Sequence, residues 1–268
     1  MDQLEAICRD LERIRQDRPL IHNITNFVVM NETANAILCL GALPIMSHAI
    51  EEVEEMVGIA SALVLNVGTL TPDWVDAMER AGKRANELDI PVILDPVGAG
   101  ATRLRTESSR RLLNEVRISV VRGNAGEIAA LAGIDSEVRG VESIGASASA
   151  EEIAARFAST RGSVAAVTGE VDVVSDGKQT AKIHNGHAML GKVVGTGCMS
   201  TAIVGCFAAV ESDPFTAAVG GLVALGIAGE MAADTSGERP GTFHAHLYDS
   251  LYALDCARIR KLARVALA

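Results

Sequence analysis

Residues 91–100 read PVILDPVGAG: an unbroken apolar run, then an acid, a proline and two glycines. An apolar run without period-two alternation is the mark of a strand covered on both faces, as in parallel sheets flanked by helices. The same grammar recurs outward along the chain. Leu43–Met46 precedes a helical pattern over Ile50–Ala60. Ala62–Asn66 (ALVLN) leads through Gly68 to Thr71-Pro72-Asp73, which supplies a cap, a first-turn proline and an acid suited to a helix dipole. Ser119–Arg122 (SVVR) runs into Gly123-Asn124 and a helix from about Ala125, and Ser163–Val167 runs into Thr168-Gly169. Strand alternating with helix predicts an α/β fold around a mostly parallel sheet with helices on both faces. Val171–Ser175, Asp176-Gly177 and Gln179–His184 depart from it and predict an antiparallel hairpin on a two-residue turn. Cys198–Val210, Pro214–Ala233 and Phe243–Ala257 read as helices, and His22–Asn26 reads as the opening of an earlier one, capped by Asn or Thr.

The 268 residues contain no linker, repeat or low-complexity tract, so a single domain over 1–268 is expected. Acidic residues outnumber basic ones 34 to 24, a net charge of −10, which argues against nucleic acid and against anionic membrane surfaces as partners. Hydrophobic residues make up 49%, enough for a large core, and aromatics only 3%, too few for base-stacking platforms. Cysteines at 8, 39, 198, 206 and 256 form no CxxC pair, and the first 19 residues show no apolar signal-peptide region, so a reducing cytoplasm is expected. Val193–Val210 is 18 residues without a charge, but its glycine- and threonine-rich first third leaves too short an apolar part to span a bilayer, and a buried helix is the expectation.

In open parallel sheets ligands bind outside the carboxyl ends of the strands. Those ends carry Met46, Asn66-Val67-Gly68, Asp95, Arg122-Gly123-Asn124 with Glu127, and Thr168-Gly169. Turns are polar in any case, yet one base, two acids and several glycines on one rim suit a phosphorylated, metal-bound ligand. Asp95 and Glu127 are candidate Mg²⁺ holders, since Mg²⁺ takes one or two carboxylates plus phosphate oxygens. Arg122 has the planar fork for phosphates; a salt bridge to a neighbouring acid is the alternative. Gly195-Thr196-Gly197-Cys198 offers close backbone approach and the free N–H groups of a helix start, an anion site; the alternative is a plain glycine turn before a buried helix. It matches neither a Walker A loop nor a dinucleotide fingerprint. Cys198 lies where a helix dipole favours thiolate, or where a small buried residue packs. His244 and His246 lack a third ligand and read as structural.

Taken together, HNITNFVVMNETAN (22–35), GALPIMSHAIEEVEEM (41–56), LVLNVGTL (63–70), PVILDPVGAGAT (91–102), VVRGNAGEIAALAG (120–133), AVTGEVDVVSDG (166–177), VVGTGCMSTAIVGCF (193–207) and PGTFHAHLYDSL (240–251) resemble the hydroxyethylthiazole kinase family, in order and over essentially the whole chain. The resemblance implies a ribokinase-like three-layer sandwich. It implies transfer of the ATP γ-phosphoryl group to the hydroxyl of 4-methyl-5-(2-hydroxyethyl)thiazole in thiamine biosynthesis, with Mg²⁺, by a homotrimer whose active sites lie at subunit boundaries. By position, Met46, Asn26, Gly68 and Gly195 would face the thiazole. Arg122 and Thr168, with Asn124 beside them, would contact ATP, and Asp95 and Glu127 would organise Mg²⁺. Gly195, Thr196, Gly197 and Cys198 would surround the transferred phosphoryl group. Wider relatives of this fold place Asp where Cys198 stands, so Cys198 is either a weak base or a pocket wall. A kinase for the hydroxymethylpyrimidine precursor, a nucleotide-dependent hydrate repair enzyme and a catalytically idle sensor are the competing readings.

Overall fold

The structure is a computed structural model and describes residues 3–133 and 148–267. Along the chain come α1 (Gln3–Asp17), β1 (Leu20–Ile24), α2 (Met30–Leu40), β2 (Leu43–Met46), α3 (Val53–Ile59), β3 (Ala62–Asn66), α4 (Pro72–Glu87), β4 (Val92–Asp95), α5 (Arg103–Glu115), β5 (Val120–Asn124) and α6 (Ala125–Ala132). Then follow α7 (Ala150–Arg161), β6 (Val164–Thr168), β7 (Asp172–Ser175), β8 (Thr180–Ile183), a 3-10 turn (Ala188–Lys192), α8 (Thr196–Ala208), α9 (Pro214–Ser236), α10 (Pro240–Ala253), α11 (Cys256–Leu262) and β9 (Val265–Leu267).

The strands form one sheet in the order β2-β1-β3-β4-β5-β6-β7-β8-β9. Pairing is parallel from β2 through β6 and antiparallel from β6 through β9. Successive strand residues point to opposite faces, and both faces are covered. Val64, Ile93, Val120 and Ala166 pack with Leu11 of α1, Ile37 of α2, Phe207 of α8, Phe215 of α9 and Phe243 of α10. Their neighbours Leu63, Leu65, Leu94, Val121 and Ala165 pack with Val57 of α3, Met78 of α4, Leu112 of α5, Ile128 of α6 and Phe157 of α7. The non-alternating apolar strands therefore have the explanation expected of them: a three-layer sandwich with the sheet in the middle.

Local chemistry sets the helix starts. Thr71 accepts the Trp74 N–H at 3.3 Å ahead of Pro72, and Asn124 with Glu127 and Ser149 with Glu152 form capping boxes. Helix α8 lies flat against the sheet because position 205 is glycine: a Cβ there would stand 2.7 Å from Val64 Cγ2. That close seat carries the first turn of α8 to the carboxyl rim of the strands. Helix α9 is apolar enough to cross a membrane, with a mean hydropathy of 1.6, but 83% of that stretch is buried inside the sandwich. Val193–Val210 contains α8, whose last ten residues are all buried.

Two expectations need correction. His22–Asn26 does not open a helix; Leu20–Ile24 is a central strand, and α2 begins at Met30 with Val29, which caps nothing through its side chain. Two polar residues hid that strand. His22 satisfies Nε2 on the Ser47 carbonyl at 2.7 Å, and the Asn23 amide donates to the Ile21 carbonyl at 2.8 Å. Asn26 instead accepts the Val28 N–H at 3.1 Å, a local turn. Phe243–Ala257 is two helices, broken at Leu254, with Asp255 capping α11 through the Arg258 N–H at 2.8 Å. The edge strand β9 went unforeseen; three residues carry too little pattern to register.

Candidate active site

The strand order turns back at β1, which has β2 on one side and β3 on the other. This is a topological switch point, where α/β sheets open a crevice at their carboxyl ends. A chain of polar side chains lies across it. The Asn26 amide donates to Asn66 Oδ1 at 2.8 Å, and the Asn66 amide donates to Asp95 Oδ2 at 2.9 Å. The same Asp95 oxygen accepts the Thr201 hydroxyl at 2.8 Å and lies 3.9 Å from Arg122 Nη1. Asn26 also points its amide at Cys198 Sγ, 3.6 Å away. Asn26, Asn66, Asp95 and Thr201 are all buried.

Helix α8 enters this cluster through its first turn. Gly195 holds φ at +91°, and a Cβ there would stand 2.7 Å from Val29 Cγ1. The N–H groups of Thr196, Gly197 and Cys198 have no intrahelical acceptor by position, so the positive end of the helix faces the rim. Arg122 lies over it: a Cβ on Gly197 would be 2.9 Å from Arg122 Nη1. Arg122 Nη2 donates to Thr168 Oγ1 at 2.5 Å. Beyond them opens a cleft of about 900 Å³, whose walls include Arg122, Thr168, Asp172, Thr196, Gly197 and Ser200. The 184–187 loop forms its far wall. This loop is tied down by Glu230, which accepts the Gly186 N–H at 2.8 Å, and by Asn185, which accepts the Arg264 N–H at 2.7 Å. Arg264 also donates to Glu230 at 2.6 Å.

The electrostatics separate the titratable groups. Burial pushes the Asp95 carboxyl up to about 6, against the pull of the Arg122 charge and the Thr201 hydroxyl. Burial, then the Asp95 charge, pushes the Cys198 thiol up to about 11, so it stays protonated at neutral pH. The helix dipole does not make it a thiolate. Glu127 spends both oxygens on backbone donors, the Gly98 N–H at 2.8 Å and the Asn124 N–H at 2.9 Å. It fastens the loop after β4 to the start of α6, and its charge still reaches Asp95. Among the described residues no cluster of three His, Cys, Asp or Glu side chains forms a closed metal cage. Asp95 takes the Asn66 and Thr201 donors on Oδ2, and one carboxylate together with phosphate oxygens and water fits the way Mg²⁺ is held beside nucleotides.

Most of the residues singled out in the sequence thus meet: Asn26, Asp95, Arg122, Thr168, Gly195, Thr196, Gly197 and Cys198. Gly68 joins them through the chain itself, since its Cβ would lie 2.8 Å from Asn26 Cβ and its N–H donates to Asn66 at 3.0 Å. Met46 ends β2, in register with Asn23 of β1, half-buried on the same rim. Asn124 is exposed and uses its side chain as the cap of α6, accepting the Glu127 N–H at 3.0 Å. His244 pairs with Tyr248 at 2.8 Å within α10, in keeping with a structural role. Thr201 escaped sequence reasoning; its signal was its place one turn after Gly197 on the same helical face.

Known proteins resemble the chain over nearly its whole length. The hydroxyethylthiazole kinase family model matches residues 11–257. The chain is 51% identical over 255 residues to a hydroxyethylthiazole kinase of Desulfatibacillum aliphaticivorans, covering 95% of each. It is 51% identical over 263 residues to one of Methanococcus maripaludis, covering 98% of each. Among solved structures, a hydroxyethylthiazole kinase protein from Pyrococcus horikoshii superposes with a TM-score of 0.91 at 46% identity, over 98% of this chain and 99% of that one. A pyridoxal kinase from Staphylococcus aureus in complex with ADP superposes with a TM-score of 0.62 at 15% identity, over 93% and 99%, and shares the fold. With this sequence match over nearly its full length and this superposition, the chain belongs to the hydroxyethylthiazole kinase family.

Proposed function

We propose that the protein transfers the γ-phosphoryl group of ATP to the hydroxyl of 4-methyl-5-(2-hydroxyethyl)thiazole, as a step of thiamine biosynthesis. The observation that carries this reading is the meeting of the first turn of α8 with Arg122, Thr168 and Asp95 at one rim, beside a cleft large enough for a nucleotide. Phosphoryl transfer leaves little covalent work to the protein; alignment and charge stabilisation do most of it. The N–H groups of Thr196, Gly197 and Cys198 receive the charge that develops on the moving phosphoryl oxygens. Arg122 and Thr168 hold the phosphates of ATP on the cleft side, and Met46, Asn26, Gly68 and Gly195 bound the acceptor on the other. Mg²⁺, held beside Asp95 and Glu127 with the phosphates, would neutralise charge on them. The protonated Cys198 thiol is a pocket wall that leaves the acceptor hydroxyl to be oriented by Asn26, its proton passing to the transferred phosphoryl oxygens as the bond to the ADP oxygen breaks. Purified enzyme with ATP and Mg²⁺ should release ADP only when the thiazole alcohol is added; ADP release indifferent to the alcohol would end this reading.

The same reading includes a homotrimer with active sites completed at subunit boundaries. Its support is an apolar edge at the site: Phe27 is 60% exposed, Val28 58% and Val194 70%, all flanking the Asn26 and Gly195 turns. Isolated surface apolar residues are ordinary, but a group at a polar rim marks a contact. Light scattering giving three times the 28.0 kDa chain mass is the expected result; a monomer with full activity would refute it. The five free cysteines support a cytoplasmic location, where thiols stay reduced. Retention in the cytosolic fraction on cell fractionation is expected.

A further inference from the structure

One carboxylate on the cleft wall has no part in the reading above. Asp172 opens β7 and faces the cleft together with Arg122, Thr168 and Gly169. A negative charge beside a phosphate path weakens phosphate binding unless it performs another task. Its Oδ1 accepts the Gly169 N–H at 2.9 Å, which closes the turn between β6 and β7. That turn begins at Thr168, whose hydroxyl donates to the Gly123 carbonyl at 3.3 Å and accepts from Arg122 Nη2. Arg122 in turn lies against Gly197 at the start of α8. The connection therefore runs from Asp172 through a hydrogen bond to Gly169, along the chain to Thr168, through a second hydrogen bond to Arg122, and from there to the anion-binding turn.

We propose that Asp172 is a positioning residue for the nucleotide: by holding the Gly169 amide it fixes Thr168, and through Thr168 it sets the Arg122 guanidinium over the first turn of α8. Burial raises the Asp172 carboxyl to about 6, with the Gly169 N–H and the Arg122 charge opposing. What the position requires is an acceptor at Oδ1, and an amide side chain supplies one as well.

This inference rests on the cleft being the ATP site, and the test separates the two. Binding of ADP is measured by calorimetry, and KM for ATP and kcat by steady-state assay, in the full-length enzyme. Asp172→Ala, which loses the acceptor, should weaken ADP binding and raise KM for ATP about ten-fold, the range of one hydrogen bond. Its kcat and its KM for the alcohol should stay within about three-fold, since the acceptor side is untouched. Asp172→Asn keeps an acceptor and should stay within about two-fold of wild type in every constant. In an Arg122→Ala background, Asp172→Ala should add less than about two-fold, because the two act in series. A ten-fold loss in Asp172→Asn, unaltered ADP binding in Asp172→Ala, or multiplying losses with Arg122→Ala would each overturn the proposal while leaving the ATP site standing. Failure of the wild-type enzyme to bind ADP at all would remove both.

Discussion

Replacing Asp95 by asparagine should make the protein more stable and less active at the same time. The carboxyl is fully buried, and its pKa rises from an ordinary 3.8 to about 6 despite Arg122 and Thr201. About two units of pKa correspond to about 3 kcal/mol by which folding disfavours the ionised form. The sign follows from proton binding. Below pH 3.8 the group is protonated in both folded and unfolded chains and contributes no difference. Between 3.8 and 6 the folded chain holds the proton that the unfolded chain has lost, so stability falls as pH rises; above 6 the whole cost is present. An amide avoids that cost, and its oxygen can still accept from Asn66 and Thr201. Urea denaturation of Asp95→Asn should therefore show a gain approaching 3 kcal/mol at about pH 7.5, shrinking to about 1 kcal/mol at about pH 4.5. Activity should drop about 10–100-fold, the usual effect of losing a group that tunes a metal-bound substrate. A variant less stable than wild type at pH 7.5, or a gap that does not narrow in acid, would refute the account of Asp95 as a strained charge retained for function.

Cys198→Ser should keep kcat within about ten-fold of wild type, because a thiol pushed up to about 11 is no base at neutral pH; a loss of about 10⁴-fold in steady-state assays would make the thiolate a general base after all. Cys198→Asp, which restores a proton acceptor, should also remain active. Gly197→Ala sets a Cβ 2.9 Å from Arg122 Nη1, the end of a movable side chain; it should leave the melting temperature nearly unchanged while raising KM for ATP about ten-fold. Gly195→Ala meets both a positive φ of 91° and Val29 Cγ1 at 2.7 Å; denaturation should show a loss of about 1–3 kcal/mol, and an unperturbed midpoint would contradict the tight turn.

The fold was legible where burial imposes a simple pattern. Strands such as ALVLN and VILD, covered on both faces, have no polar residue until they reach the rim, so the run itself marks both the strand and the end that carries function. Strand β1 was illegible for the opposite reason: LIHNI places His22 and Asn23 inside the sheet, where they bond to the Ser47 and Ile21 carbonyls. Asp95, Arg122, Thr168 and the 195–198 turn could be read because each follows directly from an apolar segment. Thr201 and Asp172 could not. Thr201 depends on Asp95, far away in sequence, and Asp172, though bonded to nearby Gly169, bears on the site only through Arg122 of another strand; the assembled rim brings these together. Glu127 sat where expected, but local spacing alone did not reveal that it bridges two loops through backbone donors.

The clasp of Asn185, Glu230 and Arg264 bears on how the molecule is made. Chains emerge from the ribosome amino end first, so the glycine turn, the arginine and the buried acid are all synthesised before residue 264 appears. The 184–187 wall of the cleft is held by Arg264, which is made after all of them. A nascent chain thus holds Asp95, Arg122 and the 195–198 turn before it holds the arginine that bolts the opposite loop to Glu230.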